Sequence, residues 1–178
     1  MTRQIVLVSG CPGAGKTTLA RPLARALGFP LFSKDDLKET IYEALGGTPG
    51  DLDLSRKAGA AAMELIWRLA SQCESAVLEA NFRPRSQYER RKIASLDSNI
   101  VEVHCSCDLD LARRRYAERA KRADHHPAHA LAELSDAHLR EFDQPLNVGV
   151  LIAVDTSRPV DTASVAHEVR KALVRGRF

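Results

Sequence analysis

Residues 10–17 read Gly-Cys-Pro-Gly-Ala-Gly-Lys-Thr, the full G-x-x-x-x-G-K-T pattern of a loop that wraps phosphate. No other stretch constrains the fold as tightly, because the pattern carries meaning only between a strand and the first turn of a helix. Residues 4–9, Gln-Ile-Val-Leu-Val-Ser, supply an apolar run rich in β-branched side chains, and residues 18–27 place Ala and Leu at helical spacing. In that setting each position has a task. Gly10, Gly13 and Gly15 let the backbone curl so that successive N–H groups point inward at phosphate oxygens. Cys11, Pro12 and Ala14 contribute through the backbone, and Thr18 closes the set. The helix N-terminus adds a dipole that favours anions. Lys16 is expected to reach the β- and γ-phosphates, and the Thr17 hydroxyl to ligate Mg²⁺. The chain is expected to bind a nucleoside triphosphate.

Beyond the loop, apolar runs alternate with amphipathic segments. Strands are predicted near 4–9, 29–33, 75–80, 99–105 and 148–154. Helices are predicted near 16–27, 34–45, 53–73, 84–96, 108–122 and 160–175, with a short one near 135–142. Such alternation predicts an α/β fold: a five-stranded parallel sheet covered by helices on both faces, with ligands collecting at the carboxyl ends of the strands. At 178 residues, with 44% hydrophobic and 28% charged side chains, one globular domain spanning 1–178 is expected. No apolar run approaches the roughly 20 residues that span a bilayer, so no membrane partner is expected. Cys11, Cys73, Cys105 and Cys107 show no C-x-x-C spacing. A reducing, cytoplasmic setting fits them best.

The net charge of +3 is too small to imply nucleic acid on its own. Its distribution is uneven, with Arg113, Arg114, Arg115, Arg119, Lys121 and Arg122 crowding one predicted helix. Arg115 and Arg119 are four apart and share a face. Asp35 lies just past the second strand in Ser33-Lys34-Asp35-Asp36-Leu37-Lys38, and Glu79 ends the third in Leu78-Glu79-Ala80-Asn81-Phe82-Arg83.

The loop, these two segments and the arginine-rich helix, in this order, resemble the small P-loop kinases that phosphorylate hydroxyl groups. Gluconate-kinase-like and antibiotic-kinase-like members and the kinase domain of phage-type polynucleotide 5′-kinases share the arrangement. The resemblance implies a three-layer P-loop NTPase fold with a short helical lid over about 113–140, and ATP with Mg²⁺. It implies that Asp35 accepts the proton of an attacking hydroxyl; the plainer role for Asp35 or Ser33 is to cap a helix, and the two can coexist. Glu79 would hold Mg²⁺ through water or fix a substrate hydroxyl. Lys38, Asn81 and Arg83 would face the acceptor, and Arg119, backed by Arg115 and Arg122, would close over the transferring phosphoryl group. The string Asp124-His125-His126-Pro127-Ala128-His129 only partly matches the Arg-His-Pro-Gly-His of such lids, and His138 follows it. Arg158 follows the final strand, where related kinases pack the adenine. Trp67 and Tyr42 are candidates for an acceptor pocket or for core.

The reading is an ATP-dependent kinase acting on a hydroxyl of a small molecule, as a monomer or homodimer. Two alternatives stay open: a 5′-hydroxyl polynucleotide kinase, and a nucleotide-binding module or simple ATPase that transfers nothing.

Overall fold

Strand β1 (Arg3–Ser9) alternates its side chains between two faces, and both faces are buried. Val6 and Val8 point to one side, Ile5 and Leu7 to the other, all with no exposure. A strand apolar on both faces belongs at the centre of a parallel sheet covered by helices. The computed structural model, which describes residues 2–122, 125–129 and 134–175, has that architecture.

After β1 come α1 (Lys16–Leu27), β2 (Leu31–Ser33), α2 (Lys34–Ala44), α3 (Leu52–Ala70) and β3 (Ser75–Glu79). Next follow α4 (Gln87–Ala94), β4 (Ser98–Ser106), α5 (Leu109–Ala120), α6 (Asp136–Arg140), β5 (Val150–Asp155) and α7 (Thr162–Arg175). The five strands are parallel, in the order β2-β3-β1-β4-β5. Leu19 and Leu23 of α1 and Val165 and Val169 of α7 pack with Val6, Val8, Val101 and Val103 on one face. Ile66, Trp67 and Ala70 of α3 and Ile93 of α4 pack with Ile5, Leu7 and Leu78 on the other. Trp67 and Tyr42 are therefore core: Trp67 tilts against Phe82, and Tyr42 is 1% exposed. No helix among the described residues is long and apolar enough to cross a membrane.

The predicted elements are all present, with ends moved for local reasons. Strand β2 starts at Leu31 and not near 29, because Gly28 closes α1 in a left-handed conformation and the Phe29 N–H bonds back to Ala24 O at 3.1 Å. Helix α4 starts at Gln87 and not near 84. The Ser86 hydroxyl accepts from the Glu89 N–H at 3.2 Å, and Pro84 keeps Arg83 out of helical backbone.

Chain order reverses at β1, whose neighbours are β3 and β4, so the loop after β1 opens at the switch point where such sheets bind ligands. The far side of that crevice is held by a buried carboxylate. Glu102 of β4 has no exposure and accepts from the Ser9 hydroxyl and the Leu146 N–H, both at 2.8 Å, and from the Asn147 N–H at 2.9 Å. It ties the segment after α6 to the sheet. Glu102→Ala should strand the buried Leu146 N–H, leave the Ser9 hydroxyl with His104 alone and release the exposed Asn147 N–H, at a cost of about 2–3 kcal/mol. Urea denaturation should show a lower midpoint, with Glu102→Gln recovering part of the loss.

Candidate active site

The phosphate-binding loop is pressed against two neighbours. A Cβ at Gly10 (φ +137°) would lie 2.3 Å from Cys105 O, and one at Gly13 (φ +82°) 2.1 Å from Ala112 O. Both positions demand glycine for space and for backbone conformation. Lys16 is 7% exposed, and its ammonium donates to Cys11 O at 2.9 Å, across the mouth of the loop. The Cys11 thiol is buried and burial raises its pKa, so the loop contributes here through its carbonyl. Thr156, just past β5, fastens the loop from a third side: its hydroxyl donates to Ala14 O at 2.8 Å and its N–H to Ser106 O at 2.8 Å.

Glu79 pairs in register with Val8 of β1 and Ser33 of β2, which puts it beside the loop. Its carboxylate accepts from Thr17 Oγ1 at 3.3 Å and from Ser33 Oγ at 2.7 Å. Burial raises its pKa, against the opposing pull of Lys16. A threonine hydroxyl and a carboxylate side by side at the base of a glycine-lined anion loop form an oxygen donor set suited to Mg²⁺, directly or through water. Ser33 also caps α2, its hydroxyl oxygen lying 3.5 Å from the Asp36 N–H.

Asp35, in the first turn of α2, faces the same cavity and lies 3.2 Å from Lys34 Nζ, with its side chain 31% exposed. Burial pushes its pKa up, but the charges of Lys34, His129 and Lys16 outweigh that and hold it at about 2. Asp36 turns away to Arg21 at 2.9 Å. Lys38 is 8% exposed; burial and the neighbouring Lys34 lower its pKa to about 8.

The cavity holds about 960 Å³. Of the loop, Pro12, Gly13, Gly15, Lys16, Thr17 and Thr18 line it, while Gly10, Cys11 and Ala14 stand behind. Lys38, Glu79, Asn81 and Arg83 line it too. From α5 Arg115, Tyr116, Glu118 and Arg119 reach it, and Arg122 joins them from just past the helix end, while Arg113, Arg114 and Lys121 of the basic cluster do not. Arg113 is ion-paired with Asp110 at 2.7 Å and with Asp136. Arg115 donates to Thr156 O at 3.0 Å, and Arg119 lies over the Tyr116 ring at 5.4 Å. Arg83 spends much of its charge elsewhere: Glu89 and Glu141 each lie 3.8 Å away, and its guanidinium covers Phe142 at 5.5 Å. Arg158 is exposed and does not line the cavity.

Residues 125–129 dock on α2 and α3. Ala128 O accepts from Lys38 Nζ at 2.6 Å and from Ser55 Oγ at 2.7 Å. His126 meets Glu43 at 3.1 Å, and His129 meets Glu39 at 2.7 Å. Asp124 and the other lid positions 123 and 130–133 lie outside the described residues. His129 and His138 of the histidine cluster line the cavity, while Lys34, Ser55 and Arg56 line it without having been singled out in the sequence. The face 52-55-56-59-60-63 of α3 was readable as a helical stripe, and its small residues, Gly59 and Ala60, were the available signal.

A family model described as an AAA domain matches residues 5–145. An uncharacterized protein of Mycobacterium tuberculosis is 32% identical over 130 residues, 67% of this chain. The chain spans only about a quarter, 26%, of that relative's length. A crystal structure from Chloroflexus aurantiacus, whose kinase designation is provisional, is 30% identical with a TM-score of 0.86, covering 97% of this chain and 100% of that one. A gluconokinase from Sinorhizobium meliloti, 19% identical with a TM-score of 0.59 over 98% and 93% of the two chains, shares the fold.

Because the folded pKa of Asp35 lies below the ordinary 3.8, its ion pairs stabilise the protein above pH 4 and lose that effect as pH falls towards about 2. Asp35→Asn should therefore be less stable than the parent at pH 7. The gap in urea midpoint should narrow between pH 4 and pH 2.5.

Proposed function

This chain belongs to the AAA domain family and has the fold of the small P-loop kinases, and from that premise we propose that it transfers the γ-phosphoryl group of ATP to a hydroxyl of a small molecule. One observation carries the proposal. A phosphate loop with Lys16, a Thr17–Glu79 oxygen pair and an ionised Asp35 all face one cavity, from three different strand ends. A simple nucleotide switch needs the first two and has no use for the third.

The loop N–H groups and Lys16 hold the triphosphate, and Thr17 with Glu79 would hold Mg²⁺. The ion when bound neutralises charge on the phosphate oxygens. The acceptor oxygen attacks phosphorus, its proton passes to a carboxylate oxygen of Asp35, and the bond to the bridging oxygen breaks to release ADP. Arg119 on α5 and Arg122 just past its end line the cavity, placed to meet charge developing on the transferred group. Arg115 is held by Thr156, so it fixes the helix against the loop as well as facing the cavity. Most of the acceleration comes from positioning and fixed charge. The gluconokinase of the same fold supports a small-molecule acceptor.

The test is phosphotransfer from γ-labelled ATP across sugars, sugar acids, nucleosides, antibiotics and 5′-hydroxyl oligonucleotides, at two salt concentrations. Labelling of a small molecule is expected. Transfer confined to oligonucleotides and steeply weakened by salt would assign a polynucleotide kinase instead. Lys16→Ala should lower turnover by roughly 10²–10⁴-fold with the fold intact by circular dichroism. Asp35→Asn should keep ATP affinity within a few-fold while transfer falls by about 10²-fold or more. Arg119→Ala should reduce kcat by roughly 10²–10³-fold, about 3–4 kcal/mol in the transition state, with a smaller change in ATP binding. Unchanged single-turnover rates in that variant would make Arg119 a solvated surface charge.

A further inference from the structure

The charges around the cavity are unequal at its acceptor end. Two acids there already have partners: Asp35 pairs with Lys34, and Glu89 is bound to the Arg83 N–H at 2.7 Å and faces the Arg83 guanidinium. Among the described residues, two cations have no carboxylate at ion-pair distance. Lys38 donates to the Ala128 carbonyl, and Arg56, exposed on the cavity-facing stripe of α3, has no hydrogen bond or ion pair with any described residue. The two are brought together by the packing of α2 on α3. A Cβ added at Gly59 would meet the Lys38 and Lys34 methylenes at 3.8 and 3.9 Å, and Arg56 lies one helical turn before Gly59. Ser55, beside Arg56, shares the Ala128 carbonyl with Lys38.

A buried ammonium beside an exposed guanidinium at the rim of one cavity suits an anion better than a neutral ligand, since the anion supplies the charge the Lys38 ammonium lacks and the fork of Arg56 can close on it. Lys16, held at the Cys11 carbonyl of the phosphate loop, serves the triphosphate in the kinase reading. Arg83, already flanked by Glu89 and Glu141, adds little free charge. Leu52, Ala60 and Met63 complete the α3 wall with small or apolar surface, which suits a compact carbon skeleton more than a polymer.

We propose that the acceptor is a small hydroxyl compound bearing one carboxylate or phosphate group, and that Arg56 and Lys38 bind this group between α2 and α3. The proposal rests on the kinase reading and narrows it. Arg56 is the specificity-determining residue, its planar fork matching either oxyanion. The hydroxyl end of the same molecule then lies towards Asp35.

The experiment is titration calorimetry on the full chain loaded with Mg²⁺ and a non-hydrolysable ATP analogue. The probes are gluconate for a carboxylate, glucose 6-phosphate for a phosphate, glucose as the neutral counterpart, and a 5′-hydroxyl oligonucleotide, all at matched ionic strength. One of the two small anions should bind at 1:1 stoichiometry, and which one does so distinguishes the sources. Arg56→Ala should weaken that binding roughly tenfold to hundredfold, and Arg56→Lys should restore part of it. Lys57→Ala, on the exposed side of α3 and paired with Asp53 at 2.7 Å, should bind as the parent does. The proposal is overturned if neither anion binds, if glucose binds as tightly, if Arg56→Ala binds like the parent, or if only the oligonucleotide binds. Failure of the ATP analogue to bind overturns the kinase reading itself, and that result is visible before any acceptor probe is added.

Discussion

The site is organised around the Glu79 carboxylate. It terminates β3 between β1 and β2, and it accepts hydrogen bonds from residues at the start of two different helices, Thr17 of α1 and Ser33 at the cap of α2. Through these bonds one buried group sets the position of the phosphate loop relative to the helix that carries Asp35. Burial disfavours its charged form, and Lys16 close by opposes that. The two demands are linked: the anion needs the loop lysine, and the loop lysine, 7% exposed, needs an anion. A triphosphate or a divalent ion entering the cavity changes both sides of that balance, which makes the group sensitive to what is bound.

Much of the fold was legible because buried parallel strands and amphipathic helices write different periods into the chain. Val6 and Val8 on one face of β1, with Ile5 and Leu7 on the other, are the plainest instance. Element ends were less legible, since capping and proline decide them over one or two residues, as at Gly28 and Ser86. Of the site, the loop was readable from its pattern, and Asp35 and Glu79 from their places at strand ends. The contact between Arg115 and Thr156 was not, because it requires that β5 lie beside β4 and that α5 cross the loop. Arg56 was not either. On paper it is one more exposed helix arginine, like Arg68 on the same helix, and only the packing of α2 on α3 turns one of them towards the cavity.

The docked segment 125–129 bears on the same region. Its histidines meet Glu39 and Glu43, and its Ala128 carbonyl takes the hydrogen bonds of Lys38 and Ser55. A carbonyl is the partner a lysine accepts when no anion is offered. Ala128 O is thus positioned where an acceptor's charged group would compete for the Lys38 ammonium, and the adjoining His129, whose imidazole burial holds towards the neutral form, lines the same cavity.

Asp35 itself carries the last step of the argument. A carboxylate held at about 2 is a weak base, weaker than a solvated aspartate. For a reaction in which the acceptor proton had to leave early, such a group would be badly matched to neutral pH. Phosphoryl transfer passes through a loose transition state, with little bond formation to the incoming oxygen, so the acceptor proton stays in place until late and becomes acidic only as the new bond closes. What the step needs before that is an oxygen ionised at every working pH and fixed in direction, so that the hydroxyl hydrogen bonds to it and points a lone pair at phosphorus. Lys34 supplies both conditions, its charge lowering the pKa and its ammonium, 3.2 Å away, restraining the side chain. In the proposed reaction the depressed pKa makes positioning the main contribution of Asp35, with proton acceptance its final one.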